Sequence, residues 1–223
     1  MDHTDRLTLG RMQNPVRGIL HGAAAVLFAA GAVLLWLRAE PDTSRQVALL
    51  IFALSLVFLY TVSTLYHSVP WQKVWKHRMQ RLDHAMIFVL VAGTYTPVAL
   101  IVLDGKWRVA TLAVAWGITA IGISQKAFFP RMGNWFSITL QVFQGWMALF
   151  LVIPLARELP DGAILLLAIG GLLYTTGSLF LAVKPRLWHR VFSYHEAFHL
   201  FVVAGSLTHY GMTFWYLTGF PLA

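Results

Sequence analysis

Seven apolar stretches, each close to the length that crosses a bilayer, follow one another along this chain with only short polar connectors between them. In hydrocarbon every backbone N–H and C=O must find its partner within the protein, so runs of about 20 apolar residues can only be helices. They cover about 17–37, 46–67, 83–103, 108–125, 136–155, 162–183 and 193–217. Chain breakers mark the connectors: Glu40-Pro41-Asp42, Ser68-Val69-Pro70, Asp104-Gly105-Lys106, Pro130-Arg131-Met132-Gly133, Pro160-Asp161-Gly162 and Lys184-Pro185-Arg186. Charged residues make up 12% of the chain, roughly half of what a soluble domain carries. The expected fold is an all-α integral membrane bundle of seven transmembrane helices over 17–217. A tail of residues 1–16 precedes it and a short tail, 218–223, follows. There is no internal repeat and no room for a soluble domain. The first stretch is long enough to span, and Asp2 and Asp5 precede it, which is unlike a cleavable signal peptide.

The net charge of +8 is a topology signal rather than a nucleic-acid footprint, because its placement is lopsided. Arg6, Arg11, Arg17, Lys73, Lys76, Arg78, Arg81, Lys126, Arg131, Lys184, Arg186 and Arg190 fall on one side of the expected membrane. Arg38, Arg45, Lys106, Arg108 and Arg157 fall on the other. By the positive-inside rule the N-terminus is cytoplasmic and, after seven spans, the C-terminus is outside. The expected location is the cell (inner, plasma) membrane, with phospholipids as the partners of the basic connectors.

Polar residues inside an apolar span are expensive and default to function. Of nine acidic residues, only Asp83 and Glu196 lie at or within a span. His195-Glu196-Ala197-Phe198-His199 puts two imidazoles one helical turn apart on one face, where they can converge on one metal ion. With no cysteine in the chain, histidine and carboxylate are the strong ligands available. His195 and His199 enter the last span from the cytoplasmic side, and His67 lies at the cytoplasmic end of the second. His67 is therefore the best third ligand. Asp83 opens the third span at the same depth, and would be costly there unless paired, for example with Arg81. Ser63 shares a helix face with His67, although a serine in such a helix often bonds back to its own backbone. A lone histidine in an apolar helix is ordinarily a hydrogen-bonded packing residue, and His21, His84 and His209 are read that way. His209 is also about 15 Å deeper than His199 by helix rise.

The string His195–His199 spells the H-E-x-x-H metalloprotease pattern. Intramembrane proteases of that type take a third ligand from an acidic residue on a later helix. Residues 200–223 contain no Asp or Glu, and Glu196 is turned about 100° from His195 around the helix. The protease reading is the weakest of those considered.

Ser63-Thr64-Leu65-Tyr66-His67, Arg81-Leu82-Asp83-His84-Ala85-Met86-Ile87-Phe88, Gly93-Thr94-Tyr95-Thr96-Pro97, His195-Glu196-Ala197-Phe198-His199 and Ala204-Gly205-Ser206-Leu207-Thr208-His209 occur in that order across the seven spans. Together they resemble the hemolysin III branch of the progestin and adipoQ receptor (PAQR) family, over nearly all the chain from about residue 15. A Glu that members often carry before the first span is missing from Asn14-Pro15-Val16-Arg17-Gly18. The resemblance implies Zn²⁺ held by His67, His195 and His199, Asp83 holding or activating an attacking water, and Ser63 supporting the site or an oxyanion. Three neutral imidazoles leave zinc an open position, which brings the pKa of water there to about 7, and a nearby carboxylate can serve as general base. Related zinc membrane proteins cleave ceramides, so a lipid amide or ester is the implied substrate, admitted from the cytoplasmic leaflet.

Three functions follow as expectations. The first is a zinc-dependent lipid amide or ester hydrolase. The second is a non-enzymatic membrane-homeostasis or ion-linked regulator in which zinc staples the second and seventh spans. The third is the pore-forming, cytolytic role that the family label suggests. A conduction path needs polar groups along the whole depth, and the outer half offers little beyond His209, Thr94, Thr96, Gln141 and Gln144.

Overall fold

The computed structural model describes residues 12–129, 134–187 and 192–222. Asp2, His3, Asp5, Arg6 and Arg11 of the tail, the connector 130–133, and His189 and Arg190 lie outside the described residues.

Helix α1 (Pro15–Arg38) starts with proline in its first turn, where the missing N–H has no helical partner to lose. Helix α2 (Thr43–Ser68) is capped by Asp42, whose carboxylate accepts from the Arg45 backbone N–H at 2.8 Å. Helix α3 (Lys73–Pro97) begins ten residues before the expected span. The basic stretch Lys73–Arg81 has no glycine or proline to break it, so it is helical although it is not apolar. There the Arg78 guanidinium lies 4.9 Å from the centre of the Trp75 ring. Pro97 brings no N–H to the end of α3, and the next turn, Val98–Val102, widens into a π-helix. Helix α4 covers Gly105–Phe128. The fifth apolar stretch is two helices, α5 (Asn134–Trp146) and α6 (Ala148–Glu158), interrupted at Met147. Helices α7 (Asp161–Val183) and α8 (Tyr194–Met212) follow, and α8 ends in a π-turn, Thr213–Leu217.

Among the described residues, six helical segments are long and apolar enough to cross a membrane: Pro15–Arg38, Thr43–Ser68, Lys73–Val102, Gly105–Phe128, Trp135–Glu158 and Asp161–Val183. This is an all-α, multi-pass membrane protein. Helix α8 is not among the six, because His195, Glu196, His199 and His209 lower its apolar content. The faces turned outward carry Val26, Leu27, Leu37, Phe150 and Ile153, all more than half exposed. In water such a surface would drive aggregation, whereas hydrocarbon solvates it.

Successive helices pack side by side from α1 to α4, α5 leans on α3 and α4, α7 pairs with α8, and α8 closes back onto α1. Gln144 of α5 is fully buried and its amide donates to Phe88 O, Ala115 O and Thr119 Oγ1, which ties α5 to α3 and α4. Gln141 donates to the His84 carbonyl at 3.3 Å. It therefore stands level with the start of the apolar part of α3, the end of the bundle at which α5 begins.

Candidate metal centre

Three helix ends meet at one end of the bundle. The C-terminal turn of α2 brings His67, the first two turns of α8 bring His195 and His199, and the first turns of α1 pack between them. A main-chain bond from Asn14 N to His67 O, 2.9 Å, fastens the start of α1 to the end of α2. Helix α8 starts with a capping box: the Glu196 carboxylate accepts from Ser193 N at 2.8 Å, and the Ser193 hydroxyl caps the first turn.

The imidazoles of His67, His195 and His199 offer one nitrogen each within 4.8 Å of one another. Ring centres are 4.9 Å apart for His67 and His199, 5.0 Å for His195 and His199, and 5.9 Å for His67 and His195. His67 and His199 are each only 3% exposed. His67 Nδ1 and His199 Nε2 are buried without a hydrogen-bond partner among the described residues. A buried polar nitrogen left unpaired costs about 1–3 kcal/mol, so two of them within one histidine cluster fit a set of metal ligands. The all-imidazole donor set suits a borderline-soft divalent ion.

Ser63 lies one turn before His67 on α2 and is buried, and the half-buried Asp83 carboxylate of α3 is within interaction range of its side chain. The expected pair of Asp83 with Arg81 is not found among the described residues; Arg81 Nε donates instead to His77 O.

Glu196 does not face the histidines as an H-E-x-x-H general base would. Its Oε1 accepts from Arg17 Nε of α1 at 2.7 Å, and its Oε2 accepts from both the backbone N–H and the hydroxyl of Ser193. Arg17 and Glu196 are both buried. The carboxylate is thus consumed by a cap and an ion pair, which removes the protease reading on a second ground.

His21 is hydrogen-bonded and packed, the role expected of it, but its partner belongs to the cluster, since its Nε2 stands 2.7 Å from His199 Nδ1. His209 keeps that role, with Nε2 3.3 Å from Leu167 O and the ring against Tyr174. His84 contributes its carbonyl to Gln141. The depth of His21, one turn into the first span, is the signal in the sequence that could have placed it beside His199. The S-x-x-E spelling of Ser193–Glu196 likewise announced the cap.

An all-helical, multi-pass membrane protein with three buried-end histidines able to hold a metal ion is the class that fold and site define. The chain belongs to the haemolysin-III related family, whose model matches residues 10–210, the hemolysin III branch of the PAQR proteins. It is 34% identical over 203 residues to Hemolysin-3 of Bacillus cereus, with 90% of each chain covered. It is 32% identical over 205 residues to a Hemolysin-3 homolog of Bacillus subtilis strain 168, covering 91% of this chain and 93% of that one.

Proposed function

We propose that this protein is a zinc-dependent hydrolase of a lipid amide or ester in the plasma membrane, with seven spans, a cytoplasmic N-terminus and the zinc near the cytoplasmic face. The observation that carries the reading is the gathering of His67, His195 and His199, two of them with orphaned nitrogens, with buried Ser63 one turn before His67 and half-buried Asp83 next to Ser63. Zinc held by these imidazoles would polarise a carbonyl and acidify water in the site. The Asp83 carboxylate would then take the proton of the attacking water, with Ser63 orienting that carboxylate or donating to the oxyanion. The exposed apolar flanks of the helices leave a lipid substrate free to approach from the bilayer side.

The test is metal analysis and turnover of purified protein. Wild type carries zinc and His195→Ala loses it, whereas Asp83→Asn keeps the zinc and loses at least about 100-fold in cleavage of a ceramide-like amide. Well-folded wild type without zinc would sink the reading. Zinc retained by a wild type that cleaves no lipid amide or ester would favour the metal as a staple between α2 and α8. The name Hemolysin-3 of the Bacillus cereus relative favours a cytolytic reading, which release of a dye from vesicles would report. Because the chain has no cysteine, single cysteines introduced by Lys76→Cys and Lys106→Cys map its orientation. A membrane-impermeant maleimide should label the second from outside intact cells and the first only after lysis. Labelling of Lys76→Cys from outside would reverse the topology.

A further inference from the structure

A metal ligand of the imidazole type is set by what its second nitrogen does. A neutral imidazole carries one hydrogen, so a partner on one ring nitrogen decides which nitrogen presents its lone pair. Of the three clustered histidines, His199 has such a partner visible from an unexpected direction. His21 on α1 meets this ring, with its Nε2 2.7 Å and its Nδ1 3.3 Å from His199 Nδ1 and ring centres 4.1 Å apart. The other nitrogen, His199 Nε2, is the one buried without a partner.

His21 itself is firmly seated. It is 3% exposed, and it meets the Tyr60 ring edge-on, with centres 4.9 Å apart. Tyr60 is in turn stacked on Phe28 and donates to Ser206 Oγ at 2.7 Å, so α1, α2 and α8 all hold it. His21 is not in the group of three that can share an ion. Its ring nitrogen meets His199 at Nδ1, on the far side of that ring from Nε2.

We propose that His21 is a positioning residue of the metal centre. It accepts the Nδ1 hydrogen of His199, which fixes the tautomer and the ring plane and turns Nε2 toward His67 and His195. A fourth imidazole in this second role, rather than as a ligand, leaves the fourth position on the metal open. The inference rests on the zinc reading above and deepens it: α1, which supplies no ligand, sets the geometry of one.

The experiment strips the purified protein with a chelator and titrates Zn²⁺ against a chromophoric competitor, with Co²⁺ absorption as a second readout. His21→Phe keeps a ring but offers no acceptor, and should weaken Zn²⁺ binding by about 10- to 100-fold. His21→Gln places a carbonyl oxygen near the position of Nε2 and should recover most of that loss. The Co²⁺ spectrum of His21→Gln should match wild type in intensity and position, since the ligand set is unchanged. Zinc bound by His21→Phe as tightly as by wild type would overturn the positioning role. So would a His21→Gln variant as weak as His21→Phe, or a Co²⁺ spectrum showing that a ligand had been lost. Wild type that binds no zinc would overturn the parent reading, and this one with it. Neither variant leaves the cavity an alanine would, and the thermal transition of each is measured alongside so that overpacking by the larger phenylalanine is seen separately from loss of the acceptor.

Discussion

Glu196 is the residue whose surroundings change its meaning most. One oxygen is bound to Arg17, 2.7 Å away, and the other to the amide and hydroxyl of Ser193. Removing one member of a buried ion pair leaves the other charge without compensation, which costs about 3–5 kcal/mol, and loss of an N-cap arrangement adds about 1 kcal/mol. Glu196→Ala should therefore lose at least about 3 kcal/mol of stability, read as an earlier thermal transition in detergent. The folded fraction should still carry zinc at the wild-type ratio. A variant that melts like wild type but has lost metal or turnover would return Glu196 to a direct chemical role. Arg17 gains its meaning from the same contact. A basic residue at the start of α1 suits a partner on α8 that is itself acidic.

At the scale of the helices, apolar length was readable because it reports the membrane. The stretches 17–37 and 162–183 correspond to helices Pro15–Arg38 and Asp161–Val183. Where helix and membrane part company, apolar length misleads. Lys73–Arg81 is helical and polar, so the start of α3 was placed at Asp83, ten residues late. The break at Met147 comes two residues after Gly145 and seven before Pro154, and a single glycine in a long apolar run does not by itself mark a helix end. His195 and His199 were legible because their spacing alone puts them on one face, and His67 because alternating spans bring the end of α2 to the start of α8. The bond between His21 and His199 joins residues 178 apart and depends on how α1 rolls against α8. Periodicity along one helix carries no information about that rotation. The reach of Glu196 to Arg17 escaped for the same reason. Gln141 falls level with His84 because α5 begins at that end of the bundle, and composition along one stretch carries no information about direction.

Over the whole molecule, α8 and the turn that follows it are held against the α1–α2 pair at both ends. At the histidine end the fasteners are Arg17 with Glu196 and His21 with His199. At the opposite end the fastener is Arg45, whose side chain is 3% exposed. Its Nη1 donates to Glu40 Oε2 at 2.5 Å and to Thr218 O at 3.3 Å, and its Nη2 donates to Phe220 O. Arg38 adds a bond to Thr218 Oγ1 and lies over the Phe214 ring. Because the Glu40 side chain is 63% exposed, water can solvate it once Arg45 is gone, so the full penalty of a broken buried pair does not apply. What remains is the loss of charge-assisted bonds to two carbonyls, and Arg45→Ala should cost about 2–3 kcal/mol. Arg45→Lys should restore less than half of that, since a single ammonium cannot fork to three acceptors as a guanidinium does. Thr218 lies about 28 Å along the helix from His199 by helix rise, and separations of that size leave energies nearly additive. Zinc affinity of Arg45→Ala should therefore stay within about threefold of wild type while its thermal transition falls. If the affinity drops as far as it does for His21→Phe, α8 behaves as a rigid lever whose far end sets the histidines, and the local fasteners Arg17 and His21 are not sufficient to hold them.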